Sequence, residues 1–197
     1  RICGKVDINN ATPEMMCDNG SMSFDLTIDK QIAWNVGYGT SSLFRNIHAF
    51  QMYWHAQGMK SFFEGEVIYN GIKYDVIKEK SFGYCDKNWG SDFTTPWLWI
   101  SSNNIYDKET GQKLENTVFD IGGGKPKVFG VTFKDKLLGA YYIEGKEYEY
   151  NFSKFNHPTK TKFSFKVVDG ICNWFVQQSD IKTKMVTKIQ CRVEDML

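Results

Sequence analysis

Hydrophobic side chains in this sequence recur at every second position, in runs separated by two-residue turn signals, and that pattern restricts the fold more than any other feature. In Ser21–Asp29, Met22, Phe24, Leu26 and Ile28 alternate with small or acidic residues. A period of two puts one set of side chains on one face of an extended chain, so the segment reads as a half-buried strand. Near the C-terminus Ile181, Thr183, Met185, Thr187, Ile189, Cys191 and Val193 hold the odd positions. Lys182, Lys184, Lys188, Gln190 and Arg192 hold most even ones, which predicts a strand with a basic outer face. Between Val67-Ile68-Tyr69 and Ile72-Lys73-Tyr74-Asp75-Val76 stands Asn70-Gly71. Both residues tolerate the positive φ of a type I′ turn, so they close a two-residue hairpin. Similar punctuation occurs at Lys134-Asp135 between Val128–Phe133 and Leu137–Ile143, at Glu144-Gly145 before Tyr148–Phe152, and at Asp169-Gly170 between Lys162–Val168 and Ile171–Gln177.

No segment keeps a helical spacing of apolar residues across three turns, although Phe44–Lys60 has a mixed pattern with room for one short helix. Many short strands without βαβ alternation suggest an antiparallel barrel or sandwich. Closure removes exposed edges, so the expectation is a barrel-like, all-β domain with little helix. A length of 197 residues favours one domain, residues 1–197. The high aromatic share, 16%, suits pleated half-buried surfaces. Lys+Arg 24 balance Asp+Glu 23, which leaves no basic footprint for nucleic acid. Five cysteines at wide spacings contain no CxxC pair and read as free thiols in a reducing compartment. The sequence shows no leader pattern and no apolar run of the roughly 18 residues a membrane helix requires, so the expected location is cytoplasmic. It opens on Arg-Ile-Cys-Gly and is read as a piece of something longer.

The densest polar and aromatic cluster is Tyr84-Cys85-Asp86-Lys87-Asn88-Trp89-Gly90, followed by Trp97-Leu98-Trp99-Ile100-Ser101-Ser102-Asn103. If both segments are extended, Tyr84, Asp86 and Asn88 share one face, and Trp97, Trp99, Ser101 and Asn103 share another. A carboxyl and amides beside indoles make a greasy pocket with polar handles, the usual constitution of a small-molecule site. The plainer alternative has Asp86 and Asn88 forming a turn and the tryptophans packing the core.

These two segments resemble the Tyr-Ala-Glu-Lys-Asn-Trp-Gly and Trp-Phe-Trp-x-Gln-Cys-Asn signature of the tocopherol cyclase family. Gly20-Ser21-Met22-Ser23-Phe24-Asp25-Leu26, Trp34-Asn35-Val36-Gly37, Trp54-His55-Ala56-Gln57-Gly58-Met59-Lys60 and the hairpin around Asn70-Gly71 follow the same family in order. The likeness is closest over residues 20–105. The family Glu is Asp86 here, its Gln is Ser101, and its Phe-Pro is Phe93-Thr94. The resemblance implies an antiparallel lipocalin-like β-barrel, related to carotenoid hydratases, and a reaction that closes a prenylated quinol to a chromanol. Members of the family look longer, with a second barrel, so this chain resembles their middle and later parts.

Such a closure requires a proton delivered to an alkene carbon, and an ordinary carboxyl with a pKa near 4 is ionised at neutral pH. Burial against aromatic faces would keep it protonated, and the same faces would stabilise the tertiary cation that follows. Asp86 is the expected acid, provided that strand alternation turns Lys87 away from it. Trp54, Trp89, Trp97 and Trp99 are the expected apolar walls. His55 and Tyr84 would orient the phenol or relay its proton, and Asn88 and Asn103 would bind the quinol oxygens. The plainer reading of His55 is a partly buried histidine bonded to backbone.

Other chemistry is weaker. His48 and His55 lie apart from His157, and no HxH, HExxH or CxxC motif occurs, so neither a metal nor another cofactor is expected. Cys85 reads as a packed thiol rather than a nucleophile. Gly122-Gly123-Gly124-Lys125 lacks the GKS/T ending of a phosphate loop and reads as a flexible turn. Tyr141-Tyr142, Tyr148, Tyr150 and Phe152 read as sheet faces with cross-strand pairs. The expected partner is an apolar small molecule, with peripheral membrane contact for its uptake and no nucleic acid. The competing functions are a carrier or sensor that leaves its ligand unchanged, and a structural module whose tryptophans fill the core.

Overall fold

Residues 1–15, 17–34, 41–93, 95–154 and 158–196 are described by the computed structural model. Their strands are β1 (Ile2–Ile8), β2 (Gly20–Ile32), β3 (Met52–Tyr69), β4 (Ile72–Val76), β5 (Phe82–Gly90), β6 (Trp97–Ser102) and β7 (Thr117–Gly124). There follow β8 (Lys127–Val128), β9 (Val131–Thr132), β10 (Lys136–Ile143), β11 (Lys146–Tyr150), β12 (Lys160–Val168), β13 (Ile171–Ser179) and β14 (Lys184–Arg192). The one α-helix among the described residues, α1 (Ser42–Asn46), overlaps the start of the segment of mixed pattern, whose later part, from Met52, belongs to β3. The chain is therefore all-β with antiparallel pairing, as expected. Its strands group into sheets of five, four, three and two, and no closed barrel is seen among the described residues.

The turn residues act as their chemistry requires. Asn70 (φ 48°) and Gly71 (φ 80°) join β3 to β4, Glu144 (φ 42°) and Gly145 (φ 89°) join β10 to β11, and Asp169 (φ 50°) and Gly170 (φ 72°) join β12 to β13. Two successive residues with positive φ match the twist of the flanking strands. A further turn of this kind corrects the reading of Val128–Phe133 as one strand. Phe129 (φ 48°) and Gly130 (φ 80°) break that run into β8 and β9, because Phe129 takes the exposed turn position that the alternation assigns to a strand.

The chain divides into two compact units, Arg1–Asn35 with Ala56–Asp86, and Val36–His55 with Lys87–Leu197. In the first, the sheet runs β1-β2-β3-β4, with β5 also paired to β3. Register aligns Ile2, Leu26, Gly65 and Val76 in one row and Val6, Met22, Tyr69 and Ile72 in another. The period of two in Ser21–Asp29 thus becomes an apolar face, with Lys5, Ser23, Asp25, Glu66 and Lys73 on the opposite one. Arg1 pairs with Asp25, and Lys73 with Glu66 at 2.7 Å.

In the second unit, β11-β10-β7-β6 form one sheet and β12-β13-β14 another. Ile121, Leu137, Tyr141 and Tyr150 pack with Val176 of β13, and Leu98, Ile100, Phe119, Phe163, Met185 and Ile189 lie around them. This is sheet-on-sheet packing, with one face of each sheet supplying the core. Tyr141 lies opposite Tyr148 in register and meets Tyr150 edge-on at 5.8 Å, as the tyrosine pattern predicts. On β14, Met185, Thr187, Ile189 and Cys191 are half-buried while Lys184, Lys188, Gln190 and Arg192 are exposed, so the basic outer face is present. No helix among the described residues is long and apolar enough to cross a membrane.

Candidate functional site

The second unit's four-stranded sheet has its core on one face, and its other face carries Gly122 and Gly124. Trp99 lies opposite Gly122 and Trp97 opposite Gly124. A glycine opposite an aromatic residue gives the ring bare backbone to lie across. A Cβ on Gly122 would stand 3.6 Å from Cζ3 of Trp54 and 3.8 Å from Cδ1 of Trp99, so these two indoles flank it. At Gly123, φ is 151° and a Cβ would lie 2.2 Å from the carbonyl oxygen of Lys136. Only glycine fits there. The triplet is therefore paired strand and not the flexible turn its composition suggests, because glycine also marks close backbone approach.

Asp120 shares this face. It is fully buried, lies between Ser101 and Ala140 on the flanking strands, and accepts a hydrogen bond at 2.8 Å from the Nε1–H of Trp99. Glu149 comes next in the same row, opposite Ala140. Two strand spacings put the backbones of Asp120 and Glu149 about 10 Å apart. Glu149 pairs with Lys154 at 2.6 Å and accepts from the side-chain amide of Asn151 at 2.9 Å. Val118 and Ala140, on the same face, are buried with Asp120, and exposure is confined to the tryptophan end of the sheet. Trp97 is 60% exposed and Trp99 47%, large values for tryptophan.

The structure partitions the residues singled out in the sequence. Trp54 is buried and joins Trp99 at Gly122. Tyr53, on the opposite side of β3, stacks on Trp89 at 5.6 Å, and Lys87 Nζ lies 5.8 Å from the Trp89 ring centre. His55 is half-buried and alternates to the Tyr53 side, away from Trp54. Asn103 is half-buried just beyond β6, and Asn88 is exposed. Tyr84, half-buried, and Asp86 belong to the first unit. Asp86 is exposed, as are Lys87 and Asn88, so the desolvation asked of the expected acid is missing there. Among the described residues β5 is paired with β3 only, so it is a sheet edge there. A carboxyl that is fully buried is Asp120. Its signal was an acidic residue inside the apolar run Val118-Phe119-Asp120-Ile121. Asn35, Val36, Gly37, Thr94 and His157 lie outside the described residues.

A separate opening of about 340 Å³, lined by His48, Gln51, Asp92, Lys127 and Phe129 among others, includes none of the expected site residues. Among the described residues, no three His, Cys, Asp or Glu side chains gather as a metal site would need.

Fold and site together define an all-β protein with an aromatic sheet face over a buried carboxyl. The sequence pattern described as tocopherol cyclase-like matches residues 8–194, nearly the whole chain. The chain belongs to the tocopherol cyclase-like family. No curated protein matches it, and no solved structure does.

Proposed function

We propose that this chain binds an apolar, prenyl-type small molecule on the Trp97–Trp99 face and promotes acid-driven closure of a prenyl quinol to a chromanol, with Asp120 as the acid. Family membership supports the class of substrate. The site rests on one observation, a fully buried carboxyl hydrogen-bonded to an indole whose ring is open to solvent. Proton delivery to an alkene carbon needs an acid kept from water, and the full burial of Asp120 supports that role. The tertiary cation formed would lie against the indole faces of Trp97 and Trp99. The phenol oxygen then bonds to the cationic carbon and gives up its proton, so atoms balance as an isomerisation and the acid is restored. Asn103 is the proposed contact for a quinol oxygen, and a membrane surface the proposed source of the ligand.

The test is incubation with a reduced prenylated benzoquinol, read by chromatography for chromanol and by tryptophan fluorescence for binding. Asp120→Asn is expected to abolish conversion and leave fluorescence quenching intact, whereas Asp86→Asn retains both. Conversion that survives Asp120→Asn would remove Asp120 from the mechanism. Quenching without conversion by the unaltered chain would identify a carrier instead.

A further inference from the structure

Cys172 and Cys191 share no sequence motif, yet the register of β13 and β14 sets them directly opposite one another. Opposed residues of antiparallel strands have Cα atoms about 4.5–5.5 Å apart, inside the roughly 4.4–6.8 Å that disulfides span. Directly opposite residues also project to the same face. Both are reduced. No comparable pairing exists for Cys3, whose partner in register is Asp25.

We propose that Cys172 and Cys191 form a reversible cross-strand disulfide, a redox-controlled clip on the β13–β14 hairpin. Its place in the hairpin makes it effective. The turn lies between Ser179 and Lys184, whereas the cysteines are one residue pair from the opposite end, Ile171 with Arg192. Hairpins fray at that open end, and a cross-link there closes a longer loop in the unfolded chain than one near the turn would. β13 is the middle strand of its sheet and sends Val176 into the core, so the clip ties the outer strand to the packed one.

The two thiols have different tasks. Cys172 is fully buried, and burial followed by the nearby Cys191 pushes its thiol above the ordinary range. Cys191 is partly exposed and meets an oxidant first. With glutathione disulfide as oxidant, the Cys191 thiolate attacks one glutathione sulfur, forming a mixed disulfide and releasing one glutathione thiol. Cys172 then loses its proton and attacks the Cys191 sulfur, breaking the mixed disulfide and releasing the second glutathione. Two protein thiols are oxidised by two electrons, and one glutathione disulfide is reduced to two thiols.

The experiment treats the folded 197-residue chain with glutathione disulfide, blocks remaining thiols with iodoacetamide and maps the peptides without reduction. A Cys172–Cys191 linkage that dithiothreitol reverses is expected, together with a melting midpoint raised by roughly 6–12 °C. In Cys172→Ala, Cys191 is expected to retain a single glutathione. Alkylation of both cysteines after treatment of the folded chain would overturn the proposal. So would linkage of Cys191 to Cys3, Cys17 or Cys85, or a linkage that forms only in urea.

Discussion

Gly139 stands in the middle of β10, opposite Ile121 on one side and Tyr150 on the other. A Cβ added there would lie 2.1 Å from Oε1 of Gln178, 2.8 Å from its Cδ and 2.9 Å from its Nε2. Gln178 cannot swing aside into water, because it is fully buried and held at both ends of its amide. Its Oε1 accepts from the Tyr141 hydroxyl at 3.1 Å, and its Nε2 donates to the Leu137 carbonyl at 3.3 Å. Gly139→Ala must therefore displace the amide and strip both contacts. Leaving such a buried polar group without a partner costs about 1–3 kcal/mol, and forcing packed atoms apart adds roughly as much, so the expected loss is about 2–6 kcal/mol. Tyr141 keeps part of its hydrogen bonding through Thr187, at 3.3 Å, which argues against the upper end. The mechanism predicts a specific non-additivity. With Gln178→Ala already in place the obstacle is gone, and adding Gly139→Ala should cost less than about 1 kcal/mol. Urea denaturation followed by tryptophan fluorescence and far-ultraviolet circular dichroism, over the full double-mutant cycle, measures both quantities. An equal cost in the two backgrounds would show that the clash with Gln178 is not what makes glycine necessary.

Other perturbations test other parts of the structure. Burial pushes the Tyr141 hydroxyl up to about 12, opposed by its hydrogen bond with Thr187. The unfolded chain gives up that proton near pH 10 while the folded one holds it, so stability should fall by roughly 2–3 kcal/mol between about pH 10 and 12. Tyr141→Phe should flatten this alkaline slope in pH-dependent melts but not abolish it, since burial pushes Tyr150 in the same direction. Gly71 has φ 80° with open space around a would-be Cβ, so Gly71→Ala should cost only backbone strain, about 1 kcal/mol. Gly123→Ala, aimed at the carbonyl of Lys136, should cost clearly more, and denaturant midpoints rank the two. Trp99→Phe keeps an aromatic face and removes the N–H given to Asp120, with an expected loss of about 1.5–3 kcal/mol by denaturation. A neutral result there would mean that the indole is not an important donor to that carboxyl.

Local physics made the strands and most of the turns readable from the amino-acid order. Asn70-Gly71, Glu144-Gly145 and Asp169-Gly170 carry their backbone preference with them, and alternation in Ser21–Asp29 and Lys184–Arg192 assigns side chains to faces without knowledge of any neighbour. Phe129-Gly130 escaped because an apolar residue at a turn tip looks like one more strand position. Gly122-Gly123-Gly124 misled for a related reason. Glycine signals freedom when a segment is read alone, yet here it permits the approach of β10 and leaves room for Trp54 and Trp99, which are distant in sequence. Burial separates two carboxyls in the same way. Asp86 sits in the denser motif but on a sheet edge, whereas Asp120 sits in an unremarkable run that becomes the interior of a sheet. The order of residues determined which segments extend, where they reverse and which side chains share a face. Only tertiary structure chose the neighbours across each strand, and with them the carboxyl removed from water and the thiols brought face to face, because desolvation and cross-strand contact depend on residues that the local pattern does not contain.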